Sequence, residues 1–451
     1  MLVHNDTIVA RATAAGASAV SVVRISGTRA VEMCNGITHG KTETIGSHQV
    51  KLRNIFVGKV QLDEALVAVY KAPNSFTGEE CVEISLHGSD FISVSVLQEL
   101  VKLGARMAEP GEFTMRAYLN GRLDLSQAEA VADLIAAQTV AEHKMALGQM
   151  KGGVSHKIKD LRAKILEFAA LIELELDFGE EDVEFADRTS LTAMVEQLLT
   201  EVQQLLNTFK SGNAIKEGIP IAIVGKPNSG KSTLLNALLG EDRAIVTNIP
   251  GTTRDTIEET INMFGMRFRF IDTAGIREAE NLVEKIGIEK TYKSIEKASL
   301  VWLLLDMDDT SKFEINQQLQ FIISLTEGET WLVGNKMDRI SNNDSIEMPE
   351  MVTISAKNGE LASLLSRLEI YANGLLEGAG DTTISNLRHY EVLMHAKASL
   401  KEVLRAIQTG LTGDMLAHHM RNAMHELGRI TGEIDNDEVL GQIFSKFCIG
   451  K

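Results

Sequence analysis

The sequence predicts a multidomain α/β protein: an N-terminal α+β domain, an α-helical domain, and a P-loop α/β domain inserted in the helical one. Three observations lead there. The 451 residues exceed what one ordinary hydrophobic core holds. The hydrophobic period changes along the chain, from strand-like to helical, then to an α/β alternation, then back to helical. A glycine-rich phosphate loop, GKPNSGKS, follows an apolar strand pattern and opens a helical one.

Each block follows from its local pattern. From residue 7 to about 118, short β-rich runs dominate (TIVARAT, AVSVVRIS, NIFVGKV, ALVAVYKA, CVEISLHG), with an apolar helix pattern near 91–103. In CVEISLHG, Val82, Ile84 and Leu86 share one strand face and leave Glu83 and His87 on the other. Arg24, between Val23 and Ile25, also faces away from its apolar neighbours. From 119 to about 210 the period is helical, and Ile158, Leu161, Ile165, Phe168 and Ile172 draw one apolar stripe. GEED at 179–182 interrupts that pattern before another helix near 189. IPIAIVG at 219 is a fully apolar strand, and α/β alternation runs from there to about 372. Beyond 385, Leu393, Ala396, Leu400, Val403 and Ile407 repeat the helical spacing, as do Leu416, Met420, Ala423, Leu427 and Ile430. Helical blocks on both sides of an α/β block predict an insertion, with divisions at 1–118, 119–215, 216–374 and 375–451.

Composition narrows the function classes. The apolar share of 44% and charged share of 24% belong to a globular chain rather than a disordered one. A net charge of −17 repels phosphate backbones over most of the surface, so RNA contact is expected to be local or delegated to a partner. One basic stretch, with Lys144, Lys151, Lys157, Lys159, Arg162 and Lys164 against Asp160, reads either as a tRNA contact or as a solvated helix face. Cys34, Cys81 and Cys448 form neither a disulfide framework nor a metal-ligand spacing. With no signal-peptide pattern and no bilayer-length apolar run, a cytoplasmic protein without a membrane role is expected.

The phosphate loop spans Gly225–Ser232. Gly225 and Gly230 let backbone N–H groups close around the phosphates at a helix N-terminus, Lys231 reaches the β- and γ-phosphates and Ser232 ligates Mg²⁺, with Asn228, Ser229 and Thr233 also counted among the nucleotide-binding residues. Asn335, Lys336, Met337 and Asp338 (NKMD) name the base, because the Asp338 carboxylate accepts from the guanine ring N–H and exocyclic amine. Adenine lacks that donor pair. Ser355, Ala356 and Lys357 (SAK) add a backbone N–H toward the guanine oxygen. The switch stretches complete the set: Thr247, Asn248, Ile249, Pro250, Gly251, Thr252 and Thr253 in TNIPGTT, then Asp272, Thr273, Ala274 and Gly275 in DTAG. The ordered set predicts GTP as the nucleotide.

After DTAG stands Ile276, where many GTPases keep a glutamine to orient the attacking water. Two residues offer a substitute. The Asn228 side-chain oxygen, with switch-loop backbone oxygens, makes a hard site for a monovalent cation that supplies the charge of an arginine finger; the alternative is a turn residue. Glu284, in ENLVEKIGIEK, can position water; the alternative is a solvated helix face.

Over nearly its whole length the chain resembles the MnmE (TrmE) family of tRNA-modification GTPases. The matching stretches are NDTIVARAT, VVRISG, APNSFTGEECVEISLHG, EPGEFTMRAYLNGRLDLSQAEAVADLI, the G motifs and the terminal FCIGK. The resemblance implies a folate-binding-like N-terminal domain, a helical domain, an inserted Ras-like G domain, and a homodimer built through the N-terminal domains. It also implies K⁺ held by Asn228, Thr247, Ile249 and Thr252, Mg²⁺ held by Ser232 and Thr253, and catalysis by Lys231, Asn228 and Glu284 acting through water. Tetrahydrofolate contacts fall on Arg24, Glu83, Arg122 and Lys451, with Arg122 where the family commonly has lysine. Without the resemblance, Arg24 and Glu83 read as ordinary solvent-face charges. Cys448 reads either as a thiol handling the one-carbon unit or as a small apolar residue docking the tail.

The implied reaction adds a carboxymethylaminomethyl group to carbon 5 of the wobble uridine of certain tRNAs, together with the FAD-dependent partner MnmG (GidA). No dinucleotide fingerprint follows a strand here, so FAD belongs to the partner. The rival reading is a regulatory GTPase of ribosome assembly, which predicts a KH-type module or a second P-loop. Neither pattern is present. A folate enzyme with an idle G domain has no need to discriminate guanine.

Overall fold

The computed structural model describes residues 6–177, 188–240, 245–246, 259–271, 292–308, 312–339, 348, 350–411, 413–433 and 437–450. It comprises two compact units, each assembled from separate stretches of chain: 1–132, 149–193 and 398–451 in one, 133–148 and 194–397 in the other.

The first unit holds a six-stranded sheet made of β1 (Ile8–Arg11), β2 (Val20–Ser26), β3 (Gln49–Val57), β4 (Val60–Tyr70), β5 (Cys81–His87) and β6 (Arg106–Met107). Their order is β3-β4-β5-β2-β1-β6, antiparallel except for the β1–β6 pair. The alternation read in β5 is the alternation found: Val82, Ile84 and Leu86 are buried, while Glu83, Ser85 and His87 are not. Helices Ala30–Thr38 and Asp90–Lys102 cover the apolar face through Met33, Ile37, Val96 and Leu100. Along β5 these helices cover one face, which is why period-two patterning is legible there, whereas β1 is buried on both faces, with Ile8 and Ala10 clustered with Phe113.

In the same unit, helix Gly153–Asp177 packs along helix Gly413–Thr431. Arg162 Nε donates to the carbonyl of Met424, 262 residues away, at 3.2 Å. Leu416, Met420, Ala423, Leu427 and Ile430 are fully buried, as their spacing predicts. Ile158, Leu161, Ile165 and Ile172 are too, but Phe168 is half-buried and Ala169 takes its place. A strict seven-residue repeat drifts about 20° per heptad on a straight helix, and that drift carries Phe168 off the buried stripe.

The second unit holds a seven-stranded sheet in the order β13-β12-β11-β7-β10-β9-β8. Its strands are β7 (Ile219–Val224), β8 (Ile245–Val246), β9 (Glu259–Met263), β10 (Met266–Phe270), β11 (Leu300–Asp306), β12 (Glu329–Asn335) and β13 (Val352–Thr353). The β13-β12-β11-β7-β10 run is parallel, and β9 and β8 add antiparallel pairs at one edge. β11 is buried at every residue but its last, the expected texture of a parallel strand covered on both faces.

The basic stretch 144–164 is not one helix face. Gly152, at φ +93°, breaks it between helix Val140–Met150 and helix Gly153–Asp177. Arg162 pairs with Glu433, and Lys159 lies 3.5 Å from Asp124. No described helix is long and apolar enough to cross a membrane.

Candidate functional site

The phosphate loop, NKMD and SAK gather at the carboxyl ends of the parallel strands β7, β12 and β13, where open α/β sheets bind ligands. β7 runs into the phosphate loop, and helix Lys231–Leu239 leaves it. Two glycines are required by close approach. A Cβ on Gly225 would fall 2.3 Å from the Leu304 carbonyl oxygen, and one on Gly230, at φ +99°, would fall 2.3 Å from Asn335 Nδ2. Asn228 takes φ +65° within the loop, a region asparagine tolerates better than most residues, and its side chain is exposed. Lys231 Nζ donates to the carbonyls of Gly225 at 2.8 Å and Lys226 at 3.0 Å. Burial holds its ammonium below the ordinary lysine value.

Asn335, at the end of β12 and buried, ties two motifs together. Its Nδ2 donates to the Ser229 carbonyl at 2.8 Å, and its Oδ1 accepts from Ala356 N at 3.0 Å. Ser355 Oγ donates to Asp338 Oδ1 at 2.7 Å, and that hydrogen bond holds the Asp338 carboxyl below its ordinary value. Lys336 Nζ pairs with Asp306 Oδ2 at 2.5 Å. The phosphate loop, NKMD and SAK are therefore one hydrogen-bonded assembly. Ser232, Thr233, Met337 and Lys357 stand in these same motifs. Thr247, Asn248, Ile249, Pro250, Gly251, Thr252, Thr253, Asp272, Thr273, Ala274, Gly275 and Glu284 lie outside the described residues.

A second cluster forms on the other sheet. Arg24 on β2 and Glu83 on β5 are direct cross-strand partners. Arg24 Nε donates to Glu83 Oε1 at 2.9 Å, with Nη2 at 2.8 Å from the same oxygen. The guanidinium also lies 5.4 Å from the Phe76 ring centroid and 5.6 Å from that of Phe113.

The chain's far end returns here. Arg24 Nη1 donates to the Gly450 carbonyl at 3.3 Å, Gly111 N donates to the Cys448 carbonyl at 3.2 Å, and Ile449 bridges to Pro110. A Cβ on Gly450 would fall 2.4 Å from the Arg11 carbonyl oxygen, so the tail needs glycine to pass. Cys448 is exposed, which differs from the reading of it as an apolar anchor: main-chain groups dock the tail. Lys451 lies outside the described residues.

Arg122 lines a cavity of about 450 Å³ together with His48, Tyr70, Asn74, Ser75 and Phe76. Two contacts place it there. Asn120 Nδ2 donates to the Thr77 carbonyl at 2.7 Å, and Gly78, at φ +80°, lets the 120–122 turn approach. Sequence reasoning missed His48, Tyr70 and Asn74. Asn74 stands in the APNSFTG stretch, but no periodicity or motif singles out His48 and Tyr70, since their convergence depends on how β3 and β4 end beside the 73–80 loop.

Behind that loop, Arg116 is 4% exposed and contacts Asp6, Glu79 and Glu112. Glu112, 2% exposed, also takes Arg106. Burial favours the neutral form of Glu112, but Arg106, the Glu109 N–H and Arg116 outweigh it and hold the carboxyl below its ordinary value.

The comparisons with known proteins match two successive parts of the chain. A family model described as the GTP-binding protein TrmE N-terminus matches residues 7–122, and one described as the MnmE helical domain matches residues 125–448. The chain belongs to the MnmE family. Full-length relatives carry the name tRNA modification GTPase MnmE. The one from Cytophaga hutchinsonii is 46% identical over 458 residues, covering 99% of this chain and 98% of its own. That from Christiangramia forsetii is 45% identical over 475 residues, covering 99% of each, and that from Bacteroides thetaiotaomicron is 43% identical over 466 residues, covering 99% and 100%. As a member of the MnmE family, the chain is a GTP-binding P-loop GTPase.

Proposed function

We propose that the chain is a GTP-hydrolysing enzyme of tRNA modification. With an FAD-dependent partner of the MnmG type, it adds a carboxymethylaminomethyl group to carbon 5 of the wobble uridine of certain tRNAs in the cytoplasm. The observation that carries this reading is the presence on one chain of two assemblies. One is the guanine-reading loops tied by Asn335, and the other is the Arg24–Glu83 pair met by the C-terminal tail beside the Arg122 cavity. The four segments 1–118, 119–215, 216–374 and 375–451 are the working division of the chain.

The nucleotide loop suits a phosphate. Lys231 is already directed at the loop carbonyls, and Ser229 Oγ is buried with no hydrogen-bond partner among the described residues. Ser232 and Thr253 are the residues for Mg²⁺. Asn228, with Thr247, Ile249 and Thr252, is the set for K⁺, which supplies positive charge at the phosphates in place of an arginine finger. Glu284 takes over the water-positioning role that Ile276 cannot fill.

On the first sheet, Glu83 offers a carboxylate to an aminopyrimidine edge, and Arg24, Arg122 and Lys451 offer cations to a carboxylate. That donor set fits a tetrahydrofolate, which supplies a one-carbon unit when bound. The face bearing Arg24 and Glu83 also carries Val50, Leu52 and Leu66, 56%, 53% and 49% exposed, in cross-strand register with it. Exposed aliphatic residues on the β3–β4 part of this face support a homodimer through this domain.

The first test is the nucleoside content of tRNA from cells lacking the protein, by chromatography and mass spectrometry. Loss of carboxymethylaminomethyl-type wobble uridines, restored by the intact chain but not by Asp338→Asn, is the expected result. An unchanged profile, with no compensating gene, rejects the modification reading and favours a GTPase of ribosome assembly. A second test compares GTP turnover in K⁺ and Na⁺ at equal ionic strength; equal rates remove the ion role given to Asn228.

A further inference from the structure

β9 and β10 form the hairpin that joins the two switch stretches along the chain. TNIPGTT ends six residues before β9 begins, and Asp272 of DTAG comes two residues after Phe270, the last of β10. A contact that fixes this hairpin therefore fixes the strand from which DTAG leaves.

Helix Val140–Met150 holds the hairpin at its turn. Ala141 N donates to the Gly265 carbonyl at 3.4 Å, and Ala141 and Met145 are buried in one apolar cluster with Met263 and Met266. Arg267 on β10 makes the charged part of the junction. Its Nη2 donates to the Lys216 carbonyl at 2.5 Å and lies 3.2 Å from Glu142 Oε1, the two side chains being 15% and 7% exposed. Lys216 is in the last turn of helix Phe209–Glu217, just before β7, and its Nζ pairs with Asp133 Oδ2 at 2.8 Å. Gly218, at φ +80°, passes the Arg267 stem where a Cβ would fall 3.1 Å from Cγ.

The Glu142–Arg267 pair is not explained by helix capping. Glu142 Oε2 accepts from Gln138 N at 2.7 Å, and Thr139 Oγ1 accepts from Glu142 N at 3.2 Å, which together start the helix. That uses one carboxylate oxygen. Oε1 is turned to Arg267, yet neither it nor Arg267 Nε has a hydrogen-bond partner among the described residues. Burial pushes the Glu142 carboxyl above its ordinary value, against the Gln138 N–H and the Arg267 charge. A solvent-facing glutamate caps a helix without the cost of a buried oxygen, so the buried contact with β10 calls for a role of its own.

We infer that Arg267, held by Glu142 and the Lys216 carbonyl, is a positioning residue for GTP hydrolysis: it fixes β10 so that DTAG, five residues further on, meets the γ-phosphate. Five residues of strand span about 16 Å, so Arg267 acts through the strand and not on the nucleotide. The inference rests on the reading of DTAG as a switch. GDP binding is separate from it, because the Asn335 assembly of phosphate loop, NKMD and SAK contains no residue of β10.

The test uses the full chain, with kcat and KM for GTP, affinity for a fluorescent GDP analogue, and urea unfolding. Arg267→Met keeps the aliphatic stem, and Glu142→Gln keeps an acceptor for Gln138 N. Each should lower kcat about tenfold, the scale of a small misplacement near the chemistry, while GDP-analogue affinity stays within about twofold. Glu142→Gln serves if Arg267→Met does not fold, because burial already favours a neutral group there. The double variant should be no slower than the slower single one, since both lose the same contact. Arg267→Lys, which keeps a charge beside Oε1, should stay within about threefold of wild type.

Asp272→Ala is the companion variant. If it lowers kcat while folded Arg267→Met and Glu142→Gln do not, the positioning role is refuted and the switch reading stands. If Asp272→Ala turns over GTP like wild type, the switch reading falls and the positioning role falls with it. Losses that multiply in the double variant make Arg267 and Glu142 independent and reject the inference. GDP-analogue affinity falling in step with kcat rejects it too, since the damage is then general.

Discussion

Replacing Asn335 by aspartate tests whether the two base-reading motifs and the phosphate loop work as one assembly. Asn335 is 2% exposed; its amide nitrogen donates to the Ser229 carbonyl at 2.8 Å and its amide oxygen accepts from Ala356 N at 3.0 Å. Aspartate keeps the acceptor for Ala356 but puts an oxygen where the donor was, so a carboxylate faces a carbonyl across a hydrogen-bond distance. The change removes one net hydrogen bond, worth about 1 kcal/mol, and strands a buried carbonyl at about 1–3 kcal/mol. A buried carboxylate without a matching cation adds to both. The first two terms sum to about 2–4 kcal/mol, or roughly 30- to 1,000-fold in guanine-nucleotide affinity when the loop must be restored for binding. Asn335→Ala, lacking the repulsion, should lose less. The assay is equilibrium titration with a fluorescent GDP analogue, with urea unfolding alongside it. Asn335→Asp binding within threefold of wild type, or Asn335→Ala binding worse than Asn335→Asp, refutes this account of the coupling.

Three further predictions rest on other parts of the structure. Gly230→Ala places a Cβ 2.3 Å from Asn335 Nδ2 at φ +99°, so GDP-analogue binding should fall by at least about tenfold while helicity by circular dichroism stays unchanged. Gly111→Ala puts a Cβ 2.5 Å from the Phe444 carbonyl oxygen, beside the docking point of the tail; 5-formyltetrahydrofolate affinity should drop and GDP-analogue affinity should not.

The third concerns acid. Glu112, held below its ordinary value of 4.5 by Arg106, the Glu109 N–H and Arg116 despite burial, binds its proton less tightly when folded. Its contribution is therefore fully present above pH 4.5 and lost as pH falls through the lowered value. Thermal unfolding should show the first unit losing stability below that point. Glu112→Gln should cost about 3 kcal/mol near neutrality and flatten the acid limb.

The guanine site was largely legible because its chemistry is local. Each motif, from GKPNSGKS to NKMD and SAK, is a few consecutive residues whose types answer one requirement, and apolar strand patterns fix where each loop begins. Strand alternation is equally local, so Glu83 and Arg24 could be put on the solvent faces of β5 and β2. Helical stripes were read nearly as well, with Phe168 and Ile407 misplaced, Ala169 and Ala406 being buried instead, because spacing alone does not carry the angular drift of a straight helix.

Only the tertiary structure decided what those residues meet. That Arg24 faces Glu83 depends on the register of β2 against β5, and sequence sets neither register nor neighbour when strands pair across about 60 residues. The return of Gly450 to Arg24 closes a loop of 426 residues, and the convergence of His48 and Tyr70 comes from two strand ends meeting a loop. Periods and motifs record which face or turn a residue prefers. Which distant face it meets is set by the packing of the whole unit, because burial rewards any complementary surface and only the complete fold selects one.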